Sequence, residues 1–419
     1  MIGCILLIDY MTKPMKIINL LIVFIVLLVF TDLAFSQPID KTNGVFNTKP
    51  EILNKDYKSE IRIEIWNNKI FLTAKVNGKA FRFILDTGSP TILTTTVANE
   101  LGLEILGENT GQDANGNLVR MNLSILEKLE LADVTFQNIP VFIFDPSKFE
   151  IGAELFDGGI IGSEIMPLTN WQINFNHKNI VLTDDSSKLD FIKKAKKAPL
   201  KIYNYPFMPI MEFDVNNKFK DNALFDTGST ELFHLYDLAF NELKKQNLLN
   251  SDIHQANGTF GESGGGRGKD QSFNLVTLKK LSIGELDFKN TKVWTRPHAP
   301  SLIGARIFES QIVTLDYKNK TVYFYPYQQP LATKESFGFK PYIKNQSVFV
   351  GFLIYDSPAY KSGIKLHDKI VHINNKNLSQ LCKNSPIETI SWLSNINEES
   401  SITVKYISNG KEKTVTLKK

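Results

Sequence analysis

A chain of 419 residues is too long for one ordinary hydrophobic core, so two or three domains are expected. With 42% apolar and 22% charged residues and 29 Phe to bury, it lies outside the disordered class. A net charge of +4 spread over this length gives no reason to invoke nucleic acid.

In chain order, the first predicted feature is a targeting segment. Lys13 and Lys16 precede the near-apolar run 17–30, and Ala34 and Ser36 supply small residues before Gln37. Residues 1–36 therefore read as a secretory signal and residues 37–54 as a short N-terminal segment. The alternative is an uncleaved anchor, the one case in which a membrane is an expected partner, although Thr31 and Asp32 end the run short of the roughly 20 residues of a span. Cys4 and Cys382 are the only cysteines, and with Cys4 removed no intramolecular disulfide is possible. An exported protein without disulfides fits a bacterial periplasm or envelope, or the medium outside.

Next come β patterns. Residues 61–65 and 70–76 alternate apolar with polar and are bounded by Asn67-Asn68 and Asn77-Gly78, the latter a tight-hairpin signal. Phe81, Phe83 and Leu85 then share one side of a strand that delivers Asp86 in D-T-G-S, and a helix is predicted over 95–101. Residues 110–120 carry Ala-Asn-Gly at 114–116, a suitable hairpin tip. G-G-I-I-G at 158–162 follows, then a strand–turn–strand over 170–182. The lysine-rich stretch 188–201 reads as a solvated connector.

Beyond the connector the order repeats. Met211, Phe213 and Val215 alternate before Asn216-Asn217, and Ala223–Phe225 leads into Asp226 in a second D-T-G-S. A helix over 236–249, a glycine-rich loop at 254–270 with a second Ala-Asn-Gly, S-L-I-G at 301–304 and a strand–turn–strand over 310–324 complete the copy. Gly162 lies 76 positions past Asp86 and Gly304 lies 78 past Asp226, so the half is duplicated. The glycine-rich loop is not a phosphate loop, because Asp270 follows Gly268-Lys269 where Ser or Thr is required. The six His are scattered, so neither a metal nor any other cofactor is expected.

One Asp in a turn is usually a cap, but two equivalent acids brought face to face by a pseudo-twofold axis cannot both ionise. One then acts as base on a water and the other as acid toward a carbonyl oxygen or leaving nitrogen, which is the chemistry of peptide hydrolysis. Asp86 and Asp226 are the candidate pair. Gly88 and Gly228 leave room for the opposing turn. Thr87 and Thr227 offer hydroxyls across the axis, and Ser89 and Ser229 are expected to donate to the outer carboxylate oxygens.

The doubled D-T-G-S followed by an apolar pair and glycine resembles the pepsin and retropepsin class of aspartic peptidases over about 55–328, in a fused, single-chain, bacterial form. That resemblance implies lobes at 55–190 and 191–330, with two flaps at 110–120 and 254–270 and no flap Tyr in the first. From about 332 to 419 the chain leaves the repeat. D-S-P-A-Y-K-S-G-I-K-L-H-D-K-I-V-H-I-N-N-K at 356–376 is similar to bacterial PDZ domains, with Ser362, His367 and Asn375 where Ala, Gly and Gly are usual. This implies a peptide ligand captured along a sheet edge beside a helix near 387–393, with Phe337, Gly338 and Phe339 at its carboxylate. The fold expected is mainly β: two pseudo-twofold acid-protease lobes followed by a small α+β PDZ domain. The activity expected is that of an exported aspartic endopeptidase acting on protein or peptide substrates. The alternative is a non-catalytic peptide-binding or scaffold protein that uses the same cleft and groove.

Overall fold

The computed structural model describes residues 43–148, 152–250, 252–298, 300–328 and 335–419. The signal segment 1–36 lies outside the described residues, and no helix within them is long and apolar enough to cross a membrane.

The protein is mainly β, because its apolar residues recur with period two between asparagine turns. Strand Lys58–Trp66 buries Ser59, Ile61 and Ile63 and exposes the residues between them. Asn67 and Asn68, with φ of 48° and 61°, form the paired left-handed turn that matches strand twist and returns the chain as Lys69–Val76. Asn77-Gly78 and Asn216-Asn217 make equivalent turns, also with positive φ.

Two halves carry the same pairing scheme. In the first, Lys69–Val76 pairs with Lys79–Leu85, which runs parallel to Gly159–Ile161. That strand meets Ile92–Thr94, which runs parallel to Val134–Phe144, and Leu118–Leu131 and Gly107–Gln112 continue the sheet. In the second, Pro209–Val215 pairs with Phe219–Asp226, then come Ser301–Gly304, Phe233–Tyr236, Leu286–Arg296, Gln271–Ile283 and Ile253–Gly258 in the same order and sense.

A six-stranded floor joins the halves. Gln311–Asp316 pairs with Asn170–Asn174 through Trp171 and Leu315, both fully buried, and one apolar core runs through both halves. The lysine-rich connector contributes to this floor, contrary to its reading as a solvated link. Lys196–Pro199 pairs with Thr321–Pro326 and Ala198 is buried, because an available sheet edge outweighs a local run of charge.

The C-terminal unit has its own core, including Phe337, Val350, Ile370, Cys382, Val404 and Tyr406. Its strands Phe339–Lys344, Ser347–Ile354, Lys369–Ile373, Ser401–Ser408 and Lys411–Lys418 pack with helices Leu378–Asn384 and Pro386–Ser394. The first of these helices was not anticipated from the sequence. Strand Ser347–Ile354 also pairs with Ile253–Gly258 of the second half through Ala256, Asn257 and Gly258. The second Ala-Asn-Gly is therefore strand, held on both edges, whereas the first is a hairpin tip.

Candidate active site

Each acid stands where a strand ends beside a glycine-bearing partner strand. The Asp86 amide donates to the Ile161 carbonyl (3.0 Å), and Asp226 is in register with Gly304. The turn then folds back, so that the Gly88 amide donates to Asp86 Oδ1 (2.8 Å) and the Gly228 amide to Asp226 Oδ1 (2.8 Å). A Cβ on Gly88 would sit 2.8 Å from the Asp226 carboxylate, and one on Gly228 would sit 2.3 Å from Asp86 Oδ2. The two turns thus face each other with room for glycine alone.

Thr87 and Thr227 are fully buried and interlock. Each amide donates to the other's hydroxyl (3.0 Å), while the Thr87 hydroxyl donates to the Phe225 carbonyl (2.5 Å) and that of Thr227 to Leu85 (2.9 Å). The serines differ from expectation. The Ser89 hydroxyl donates to the Pro90 carbonyl (2.9 Å), and Ser229 reaches Asp226 through its backbone amide (3.2 Å), so backbone donors rather than hydroxyls hold the carboxylates. The tight turn brings the amides in first.

Burial, then the charge of Asp226, pushes the Asp86 carboxyl up to about 7, and a hydrogen bond between the two carboxyls acts in the same direction. Lys69 and the Gly88 amide pull against this. Lys69 comes from the first hairpin, and its ammonium donates to the Gly228 carbonyl (2.8 Å). Asn68 beside it donates to the Thr230 carbonyl (3.1 Å) and to Glu309 (3.0 Å). Behind the Asp86 turn, the buried Glu164 accepts from the Thr91 amide (2.7 Å), the Thr91 hydroxyl (2.8 Å) and the Tyr205 hydroxyl (3.0 Å), and burial raises its carboxyl to about 7. Sequence reasoning missed Lys69, Asn68 and Glu164, which carry no local signature of a site.

Two flaps roof the cleft and touch. At the tip of the first, Asp113 accepts from the Asn115 and Asn117 amides (2.9 and 2.8 Å) and from the Gly265 amide of the second flap (2.7 Å). Asn115 donates to the Gly261 carbonyl (3.1 Å). The second flap is tied down by the C-terminal unit. Arg267 lies 3.9 Å over the Tyr342 ring and donates to the Gly351 carbonyl (2.9 Å), and Asp270 meets His367 Nε2 at 2.6 Å. His367 holds a φ of 66° in the turn where glycine is usual.

Beneath the flaps lies a cavity of about 1320 Å³ that contains both acids and continues to Phe339, Tyr342, Ile390 and Leu393 of the C-terminal unit. The amides that the resemblance implies for a peptide carboxylate are engaged within the chain: Phe337 donates to Asn397 Oδ1 (3.2 Å) and Gly338 to the Ser336 hydroxyl (3.2 Å). Phe337 itself is core, and Phe339 is 3% exposed. Among the described residues, no group of three or more His, Cys, Asp or Glu could hold a metal ion.

Residues 72–165 match the aspartyl protease family. The matched segment contains Asp86, the first flap and Gly162, and stops before the second half. Among solved structures, the aspartic proteinase from Irpex lacteus is similar over 64% of this chain and 97% of its own, at 12% identity and a TM-score of 0.39, too remote for residue correspondences. No curated protein matches the chain.

Proposed function

We propose that the chain is an exported aspartic endopeptidase in which Asp86 and Asp226 share one proton across a pseudo-twofold cleft. The observation that carries this reading is the mutual fit of the two acid turns, each glycine facing the other's carboxylate with the threonines interlocked below. A water between the carboxyls loses a proton to the ionised one and attacks the peptide carbonyl, whose oxygen takes the proton of the other. The tetrahedral species collapses when the leaving nitrogen is protonated, and the dyad returns to its starting state. Export rests on the charged-then-apolar pattern of residues 13–36.

The C-terminal unit, read as a PDZ domain, supplies substrate or partner capture. Support comes from strand Phe339–Lys344, which pairs on one side only among the described residues and faces helix Pro386–Ser394 across a groove continuous with the catalytic cavity. A peptide added to that edge would lie in the same cavity as the dyad.

The test is cleavage of an unfolded protein such as casein by residues 37–419 from pH 3 to 8, beside Asp226→Asn and with a pepstatin-type inhibitor. Activity that falls by about 10³-fold or more in the variant and is blocked by the inhibitor supports the reading. A folded protein inactive at every pH would overturn it in favour of peptide binding alone.

A further inference from the structure

On the second half's wall of the cleft, strand Leu286–Arg296 ends with Trp294 and Arg296 lining the cavity, while Thr295 between them is buried and accepts from the Asn274 amide. Arg296 is 9% exposed, yet among the described residues its guanidinium makes no hydrogen bond and no ion pair. The other arginines lining the cavity are paired, Arg267 with Asp270 and Arg306 with Glu309. Lys340 nearby is paired with Glu231. Arg296 is thus the one arginine of this cavity left without a carboxylate partner among the described residues.

Its neighbours are also unsatisfied. Parallel register sets Arg296 beside Tyr236 and places His234 beside Trp294. His234 Nδ1 and His298 Nε2 are both buried without a partner, and both side chains line the same cavity. Burial drives His234 down to about 3, so its ring is neutral and offers one N–H. A buried guanidinium is costly unless a carboxylate supplies its missing bonds, and its planar fork fits one in a two-pronged contact. The acid whose charge acts on it is Asp226, with which it makes no ion pair and whose Oδ1 already accepts from the Gly228 and Ser229 amides.

We propose that Arg296, with His234 beside it, forms a subsite for a carboxylate of the substrate, so that the enzyme selects peptides bearing an acidic side chain or a chain-terminal carboxylate close to the scissile bond. This specificity rests on the peptidase reading of the same cleft.

Matched quenched peptides with Glu or Gln at each position flanking the cleaved bond, and with amidated or free C-termini, test it. The expected result is a kcat/KM about tenfold or more higher for the acidic peptide at one position, as for a hydrogen bond to a charged partner. Arg296→Gln brings that ratio to about one, and Arg296→Lys, which keeps the charge but not the fork, retains part of it. Preference confined to free C-termini assigns the subsite to a terminal carboxylate. Equal cleavage of the Glu and Gln forms by the wild type at every position and with either terminus overturns the proposal, whatever the variants do. Should the wild type cleave nothing, calorimetric titration of the same peptides against Asp86→Asn separates the two readings. Tighter binding of the acidic form that depends on Arg296 keeps the subsite while the peptidase reading fails, and equal Kd values sink the subsite as well.

Discussion

Asp86 and Asp226 cannot both carry charge where each faces the other's turn glycine, and this sets the pH behaviour. With the Asp86 carboxyl held up to about 7, the singly protonated pair persists to near neutrality, and kcat/KM is expected to fall about tenfold per pH unit above that. Lys69 opposes the rise, so Lys69→Met moves the alkaline limb upward, which a pH–rate profile would reveal. The same shift affects folding. Between the ordinary value of 3.8 and about 7, the folded state keeps a proton on Asp86 that the unfolded chain has released, so stability decreases as pH rises through that window. Glu164, raised from 4.5 to about 7, acts with the same sign. Urea midpoints measured at pH 4.5 and 7.5 should fall with pH, and Glu164→Gln should shrink the difference. Thr87→Val removes one hydroxyl and with it two hydrogen bonds across the axis, and is expected to cost about 1–3 kcal/mol in urea unfolding, with activity lost at the same time.

At the scale of elements, the two flaps are unequal despite sharing Ala-Asn-Gly. Gly116, with φ of 79°, sits at the tip of a two-stranded hairpin in the first. In the second, the tripeptide is gripped between Gln271–Ile283 and Ser347–Ile354, and a strand edge with two partners overrides local hairpin chemistry. Arg267 and Asp270 are side-chain ties of this flap to the C-terminal unit. Arg267→Ala should raise amide hydrogen exchange over 259–270 while leaving exchange over 107–118 less affected, and equal protection in wild type and variant would show that the Arg267 contacts do not hold the flap.

For the whole molecule, the C-terminal unit is a wall of the cavity as well as an appendage. Phe352 packs with Phe273, Trp294 and Ala256 of the second half, and Phe260 of the flap lies 4.9 Å from it. Removing residues 335–419 would bare this aromatic cluster. The truncated chain is therefore expected to bind a hydrophobic dye and to melt lower than the full protein. Phe352→Ala is expected to cost about 3–5 kcal/mol through the cavity it leaves, measurable by urea unfolding of the full chain.

The repeat, the strands and the two acid turns were legible because each rests on short-range chemistry: period-two alternation, asparagine turns with positive φ, and a D-T-G turn that recurs at matched spacing. The sequence by itself determined that two carboxyls of one kind stand at the ends of equivalent strands. It was silent on Lys69, Glu164 and Arg296, since a lysine after a hairpin, a glutamate before a proline-bearing turn and an arginine at a strand end look ordinary in isolation. Only the tertiary structure decided that Lys69 reaches Gly228, that Glu164 lies buried behind the Asp86 turn, that the Ser89 hydroxyl bonds the Pro90 carbonyl and that the C-terminal unit grips one flap. Those outcomes come from burial, Coulomb interaction and edge pairing between residues far apart in the chain, which leave no periodic trace in its order.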